Sequence, residues 1–240
     1  MKIDIITIFP GLFTSVFSES IIKKALDKNI CEIKIHNLRE YCEDKHKQVD
    51  DSPFGGGPGM VFKPEPLHKA ITSLKTADTY TILTCPRGKR LTQTLLSNLS
   101  DKHHLIIIAA HYEGIDERIT ESLVDQSVSI GDYVLCGGEL PSMVLCEGLI
   151  RLLPGVVGNQ ESLKQDSFQE SLLDFPHYTR PANFLGQNVP HVLLSGSHNA
   201  IHQWRRQQSI IKTFNERPDT LAGACFSEED KTLFENYFKT

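Results

Sequence analysis

Residues 105–118 read LIIIAAHYEGIDER. Six apolar residues in unbroken succession fit a strand buried on both faces, and such strands belong to parallel sheets covered by helices on each side. The run ends in a glycine-bearing turn, His111-Tyr112-Glu113-Gly114, after which Asp116 opens a helical stretch reaching residue 124. Outward from this unit the alternation repeats. Residues 3–9 (IDIITIF), 31–38 (CEIKIHNL) and 80–84 (YTILT) read as strands, with 128–130 a short fifth; 15–26, 64–74, 91–99 and 140–153 read as helices. Strands alternating with helices predict an α/β fold, a parallel sheet flanked by helices.

Past residue 153 the pattern breaks. PGVVGNQESLKQDSFQESLLDF, residues 154–175, is polar, glycine-bearing and poorly periodic, and reads as a mobile linker. Residues 197–217 then carry a helical period, with Ile201, Trp204, Gln208, Ile211 and Phe214 on one side. Ser227 begins a capping-box pattern, S-E-E-D, ahead of Leu233, Tyr237 and Phe238. The expected division is a sheet domain over 1–157, a flexible linker over 158–174 and a small helical domain over 175–240.

Composition narrows the function. The chain has 240 residues, 40% hydrophobic and 23% charged, which suits a globular core. No apolar run reaches the ~20 residues that span a bilayer, and Asp4 interrupts the first one, so a soluble cytoplasmic protein without a membrane partner is expected. The six cysteines form no CxxC pair and no zinc-module spacing; they read as reduced thiols, with Cys31, Cys136 and Cys146 in core-like surroundings. The net charge of −5 argues against nucleic acid, but residues 175–218 hold Arg180, Arg205, Arg206, Lys212 and Arg217 against Glu216 alone. That segment is either a phosphate-docking surface or a solvated helix face.

Four glycine clusters carry the chemistry. Ser52-Pro53-Phe54-Gly55-Gly56-Gly57-Pro58-Gly59-Met60 cannot be helix or strand; its backbone admits close approach of a ligand, and no GK[ST] makes it a Walker loop. Thr84-Cys85-Pro86-Arg87-Gly88, residues 110–118 and residues 130–141 (IGDYVLCGGELP) follow three strands. Ligands of open parallel sheets bind beyond the carboxyl ends of the strands, so three such turns point to one small-molecule pocket. The first strand leads to Pro10-Gly11-Leu12-Phe13 without GxGxxG, which counts against a dinucleotide site of the Rossmann kind.

Together GDYVLCGGELP (131–141), HYEGIDER (111–118), SPFGGGPGM (52–60) and DFPHYTRP (174–181) resemble, in order, the bacterial tRNA (guanine-N1)-methyltransferases, trefoil-knotted enzymes of the SPOUT superfamily. The resemblance covers nearly the whole chain. It implies a deep knot in the C-terminal part of the sheet domain, S-adenosylmethionine (SAM) as methyl donor, and an obligate homodimer with active sites built from both subunits. The implied substrate is the anticodon arm of tRNA, methylated at N1 of guanosine 37, just 3′ of the anticodon. It also admits Mg²⁺ as a cofactor, for which the sequence shows no ligand cluster.

Carried over residue by residue, the resemblance assigns SAM binding to Pro86, Gly88, Ala110, Tyr112, Glu113, Gly114, Ile130, Gly131, Asp132, Tyr133, Val134, Leu135, Gly137, Gly138 and Pro141. It assigns tRNA binding to Asp50, Gly55, Gly56, Gly57, Gly59, Ser167, Asp174, Arg180, His198 and Arg205. Ala110 stands where the family usually has glycine, and Cys136 where it usually has threonine. Guanine N1 is protonated at neutral pH, so methylation needs a base and stabilisation of charge at the guanine carbonyl. The resemblance gives these roles to Asp166 and Arg151. By position alone Arg151 reads as a cation at a helix C-terminus and Asp166 as one linker acid among several. Two other functions fit the glycine turns: a knotted ribose methyltransferase, and a non-catalytic RNA-binding or nucleotide-sensing protein.

Overall fold

The structure, a computed structural model, describes residues 1–158, 163 and 166–232. Two compact units divide the chain, Met1–Gly158 and Asn159–Thr240.

The first unit is built on a five-stranded sheet in the order β2-β1-β6-β5-β7, every pair parallel. Its strands are β1 (Lys2–Thr7), β2 (Glu32–Asn37), β5 (Thr79–Arg90), β6 (His104–Ala109) and β7 (Gln126–Ser129). A separate antiparallel pair, β3 (Asp50–Asp51) and β4 (Val61–Phe62), flanks the glycine-rich loop. All six residues of β6 are buried, as the unbroken apolar run requires. Alternation assigns the side chains to two cores. Ile3, Ile5, Ile82, Leu105 and Ile107 pack with α2 (Ser20–Asp27), α4 (Gln93–Ser100) and α6 (Glu139–Leu152). On the other face Ile6, Leu83, Ile106 and Ile108 pack with α3 (Pro64–Leu74) and α5 (Glu117–Leu123). The unit is thus a parallel sheet with helices on both faces.

Two expectations are corrected here. The helix over 15–26 is broken into α1 (Thr14–Phe17) and α2, which opens on Ser20 at φ 56°. The Ser18 hydroxyl donates to the Ser15 carbonyl at 3.1 Å, a local bond that competes with helix continuation. Strand β5 runs well past residue 84. Thr84 and Lys89 both face Val128 of β7, so residues 85–88 leave the ladder and arch over it before pairing resumes.

Asp4, which broke the first apolar run, is fully buried in the middle of the sheet. Its carboxylate meets Lys2 Nζ, His36 Nε2 and His104 Nε2, each at 2.7 Å. Burial alone raises its pKa, but the bonds to Lys2, His36 and His104 outweigh that, and the carboxyl is held below the usual range.

The second unit contains a small hairpin, β8 (Asn183–Phe184) with β9 (Gln187–Asn188), a short α7 (His191–Leu194) and the long α8 (His198–Glu216). Ser197 caps α8 by accepting from Ala200 N. The buried stripe of α8 is Ser209, Ile210 and Thr213, one position round from the expected face, and Phe214 is exposed. The shift has a polar cause: Thr213 Oγ1 accepts from Leu173 N at 2.8 Å, so hydrogen-bonded residues occupy positions an apolar period assigns to solvent. Residues 166–174 pack into this unit, with Leu172 buried and Phe168 N donating to the Leu172 carbonyl. The capping box is reciprocal: Ser227 N donates to Asp230 Oδ2 at 2.9 Å and Asp230 N to Ser227 Oγ at 3.1 Å. The expected apolar positions Leu233, Tyr237 and Phe238 lie outside the described residues.

Candidate functional site

The detour of β5 at residues 85–88 and the glycine turns that follow β6 and β7 enclose one cavity of about 240 Å³. Its lining includes Pro86, Ala110, Tyr112, Glu113, Gly114, Ile130, Gly131, Tyr133, Val134, Leu135, Gly137, Gly138 and Pro141. Two residues of the expected set lie off the wall. Asp132 is turned outward, 3.5 Å from Arg90, with its side chain 89% exposed. Gly88 instead lets β5 return against β7, since a Cβ there would strike the Ser127 and Val128 backbone. Thr84, Cys85, Arg87, His111 and Cys136 belong to the turns read as the pocket but carry no donor assignment from the sequence, and Val128 and Ser129 of β7 escape that reading; all of them line the cavity. Cys136 is exposed rather than core, because the turn it shares with Gly137 faces the cavity. Cys31 and Cys146 are buried as expected, and burial pushes both thiols up.

The wall is held by backbone more than by side chains. Gly138 N donates to the Ala110 carbonyl at 2.6 Å, and Thr84 Oγ1 lies 3.2 Å from the Gly138 carbonyl and 3.1 Å from that of Ile108. These bonds tie the start of α6 to the middle of β5 and the end of β6. Tyr112 sits at φ 58°, a conformation a tyrosine holds only when its surroundings enforce it.

The glycine-rich loop joins this wall. Glu113 N donates to the Met60 carbonyl at 3.0 Å, Phe62 N to that of Gly114 at 2.9 Å, and Asp116 N to that of Phe62 at 3.1 Å. Gly59 lies against the Glu113 side chain, so closely that a Cβ there would collide with it. Gly55, Gly56 and Gly57 have open space around them, and Phe54 at the loop tip is fully exposed. Asp50 stands at the loop's near end, in β3. Arg151 occupies the last turn of α6.

In the second unit Asp166, His198 and Arg205 line a cavity of about 320 Å³ with Phe175, Glu170 and His202. The Arg205 guanidinium lies 4.7 Å from the Phe175 ring centroid. Ser167 Oγ accepts from Asp174 N at 2.9 Å, and Asp174 holds Phe175 N at 2.7 Å and His177 Nε2 at 2.8 Å. Arg180 is exposed. The basic segment is less basic than it reads. Arg206 bonds Asp230 at 3.0 Å and Glu170 at 2.9 Å, and Arg217 bonds Asp219 at 2.7 Å. Those acids stand outside residues 175–218 or at their very end, beyond the reach of a local charge count. Among the described residues no group of three or more His, Cys, Asp or Glu could hold a metal ion, and no helix is long and apolar enough to cross a membrane.

A cavity walled by backbone turns beyond the parallel strands, with a glycine-rich loop bonded to its rim, marks an α/β protein with a site of small-molecule size. The chain belongs to the tRNA (Guanine-1)-methyltransferase family, whose model matches residues 1–223. It is 52% identical over 240 residues to the tRNA (guanine-N(1)-)-methyltransferase of Staphylococcus carnosus, covering 100% of this chain and 98% of the relative. It is 50% identical over 239 residues to the enzyme of that name from Dictyoglomus turgidum, covering 100% and 97%. The Bacillus cereus enzyme of the same name is 49% identical over 239 residues, with 98% of each chain covered.

Proposed function

We propose that this chain transfers a methyl group from SAM to N1 of the guanosine at tRNA position 37. One observation carries the reading: the backbone bonds from Met60 and Phe62 to residues 113–116 put the glycine-rich loop on the rim of the donor cavity in a chain of this family. A nucleic-acid base brought to that loop lies beside whatever the cavity holds. The residues fit the donor. Backbone groups of the turns at 110–114 and 130–138 line the cavity where adenine and ribose would lie, and glycine at 137 and 138 lets that turn pack against His111, Glu139, Thr84 and the end of β6, where a Cβ would collide. When bound, SAM supplies an electrophilic methyl group.

The chain's own residues do the rest. Asp166 accepts the N1 proton of guanine, and the Arg151 guanidinium stabilises the charge that develops on the guanine carbonyl. The cavity that groups Asp166 with His198, Arg205 and Phe175 supports a substrate-facing role for that part of the second unit. In this reading residues 175–240 form the tRNA-binding domain, reached through the linker of residues 158–174, and Asp50, the loop glycines, Ser167, Asp174 and Arg180 touch the anticodon arm. On the same reading the C-terminal part of the first unit forms the deep trefoil knot, its segments meeting where Gly138 bonds Ala110 and Thr84. A homodimer is supported by apolar side chains left exposed on the first unit, Leu12, Val134, Leu140 and Val144, the last two on α6, where Met143, Leu145, Leu149 and Ile150 are buried. Action on tRNA supports a cytoplasmic location.

The test is transfer of labelled methyl from SAM to unmodified tRNA transcripts, with guanosine 37 present or replaced, with and without Mg²⁺. Label should appear only on the transcript that carries the guanosine, as N1-methylguanosine. Label on ribose, or SAM binding without transfer, would replace this reading with the ribose methyltransferase or the non-catalytic protein.

A further inference from the structure

Glu139 opens α6 and is only 3% exposed. A buried carboxylate is tolerated only where its oxygens are satisfied. Oε1 accepts from the Thr7 hydroxyl at 2.9 Å, and Oε2 lies 3.4 Å from His111 Nδ1. The first turn of a helix favours negative charge as well. The carboxylate therefore joins three distant pieces of chain: the end of β1, the turn after β6, and the turn after β7 from which α6 starts. Gly137 borders both partners, and a Cβ there would collide with His111 and with Glu139 together.

His111 passes the constraint on. Its ring meets Phe9 edge-on at 5.0 Å and Tyr112 at 5.3 Å, and Tyr112 meets Phe62 at 5.7 Å. Its backbone carbonyl accepts from Gly114 N at 3.2 Å, closing the turn that carries Glu113. His111 and residues 112–114 line the donor cavity, whereas Glu139 does not.

We propose that Glu139 is a positioning residue for methyl transfer: acting through His111, it fixes the turn of residues 111–114 against the donor. The inference rests on the reading of that cavity as the SAM site. It implies a dependence between two side chains that simple packing does not. Once His111 is gone, Glu139 has nothing to transmit.

The experiment is a double-mutant cycle on SAM affinity, measured by calorimetry on the full chain, with melting temperatures recorded alongside. Glu139→Ala should weaken SAM binding about tenfold, the scale of a lost charge-assisted hydrogen bond. In a His111→Ala background it should change the affinity less than about twofold, and Glu139→Gln, which keeps the shape and the Thr7 bond, should recover most of the loss. If Glu139→Ala does not fold, Thr7→Val removes the carboxylate's anchor without changing volume and enters the same cycle. Losses that multiply across the cycle, or an unchanged affinity in the single variant, overturn the proposal. Gly138→Val separates the two levels. If it binds SAM as wild type does, the cavity is not the donor site and both readings fall; if it abolishes binding while Glu139 is silent, only the positioning role falls.

Discussion

Gly138→Ala adds a single methyl group where the structure has no space for one. The new Cβ would lie 2.8 Å from Ala110 N and 2.9 Å from Ala109 Cα, and would also strike Thr84 Oγ1. The first two are backbone at the end of the central strand β6 and cannot step aside. Overpacking of this kind costs about 1–3 kcal/mol. Displacing the Thr84 hydroxyl from the Ile108 and Gly138 carbonyls adds about 0.5–1.5 kcal/mol. The expected cost is therefore about 2–4 kcal/mol, a fall in melting temperature of roughly 5–15 °C at about 2–4 °C per kcal/mol. If about half is absorbed by moving the 137–138 turn into the cavity, donor affinity falls about tenfold or more. Gly57→Ala is the comparison. Gly57 has nothing within 4 Å at φ +119°, so an alanine there strains only the loop. It should leave donor affinity within twofold of wild type and raise the KM for tRNA. Calorimetry with S-adenosylhomocysteine, differential scanning calorimetry and steady-state kinetics measure the three quantities. A Gly138→Ala protein that melts within a degree of wild type and binds the donor equally well would refute the steric argument.

Asp166→Ala should lower the single-turnover rate by about 10²–10⁴-fold with SAM affinity within a few-fold of wild type; mixing it with Gly138→Val subunits should regain up to one working site per heterodimer, and an inactive mixture after verified subunit exchange would mean each subunit supplies its own base. Arg205→Ala should lower the magnitude of the log-affinity against log-salt slope for tRNA by roughly 0.7–0.9. Arg206→Ala should instead lower the melting temperature, because it strands Asp230, whose side chain is 5% exposed; equal salt slopes for the two variants would refute the distinction. The Asp4 carboxyl is held below its ordinary value, so the stability it contributes is complete above the unfolded pKa of about 3.9 and is lost as pH falls through the lower folded value. Melting temperature measured from pH 6 to pH 2.5 should drop through that acid window in the wild type and drop less in Asp4→Asn.

The three inner strands β1, β5 and β6 were legible because their buried stretches show as apolar runs, whereas the edge strands β2, with no buried residue, and β7, with two, give shorter signals. What escaped were features made by partners far along the chain. Asp4 reads as a break in β1 until His36 and His104 supply its hydrogen bonds from two neighbouring strands. The detour at residues 85–88 cannot be read from β5 alone, because it exists only relative to β7. The charge of residues 175–218 misled for the same reason, since Glu170 and Asp230 claim Arg206 from outside that segment. The cavity wall was found by its glycines, but Asp166 and Arg151 carry no local signal that separates them from other surface charges. Their proposed roles came from the likeness of whole motifs.

The bonds from Met60 and Phe62 to residues 113–116 make the loop and the turn a single mechanical piece. Anything that favours one arrangement of residues 60–62 favours the matching arrangement of 113–116. Two ligands reading opposite sides of such a piece are thermodynamically linked, and the linkage is reciprocal. The factor by which tRNA tightens the donor is the factor by which the donor tightens tRNA. An inhibitor that occupies the cavity would therefore shift the affinity for RNA by the same factor, and in the same direction, as RNA shifts the affinity for that inhibitor.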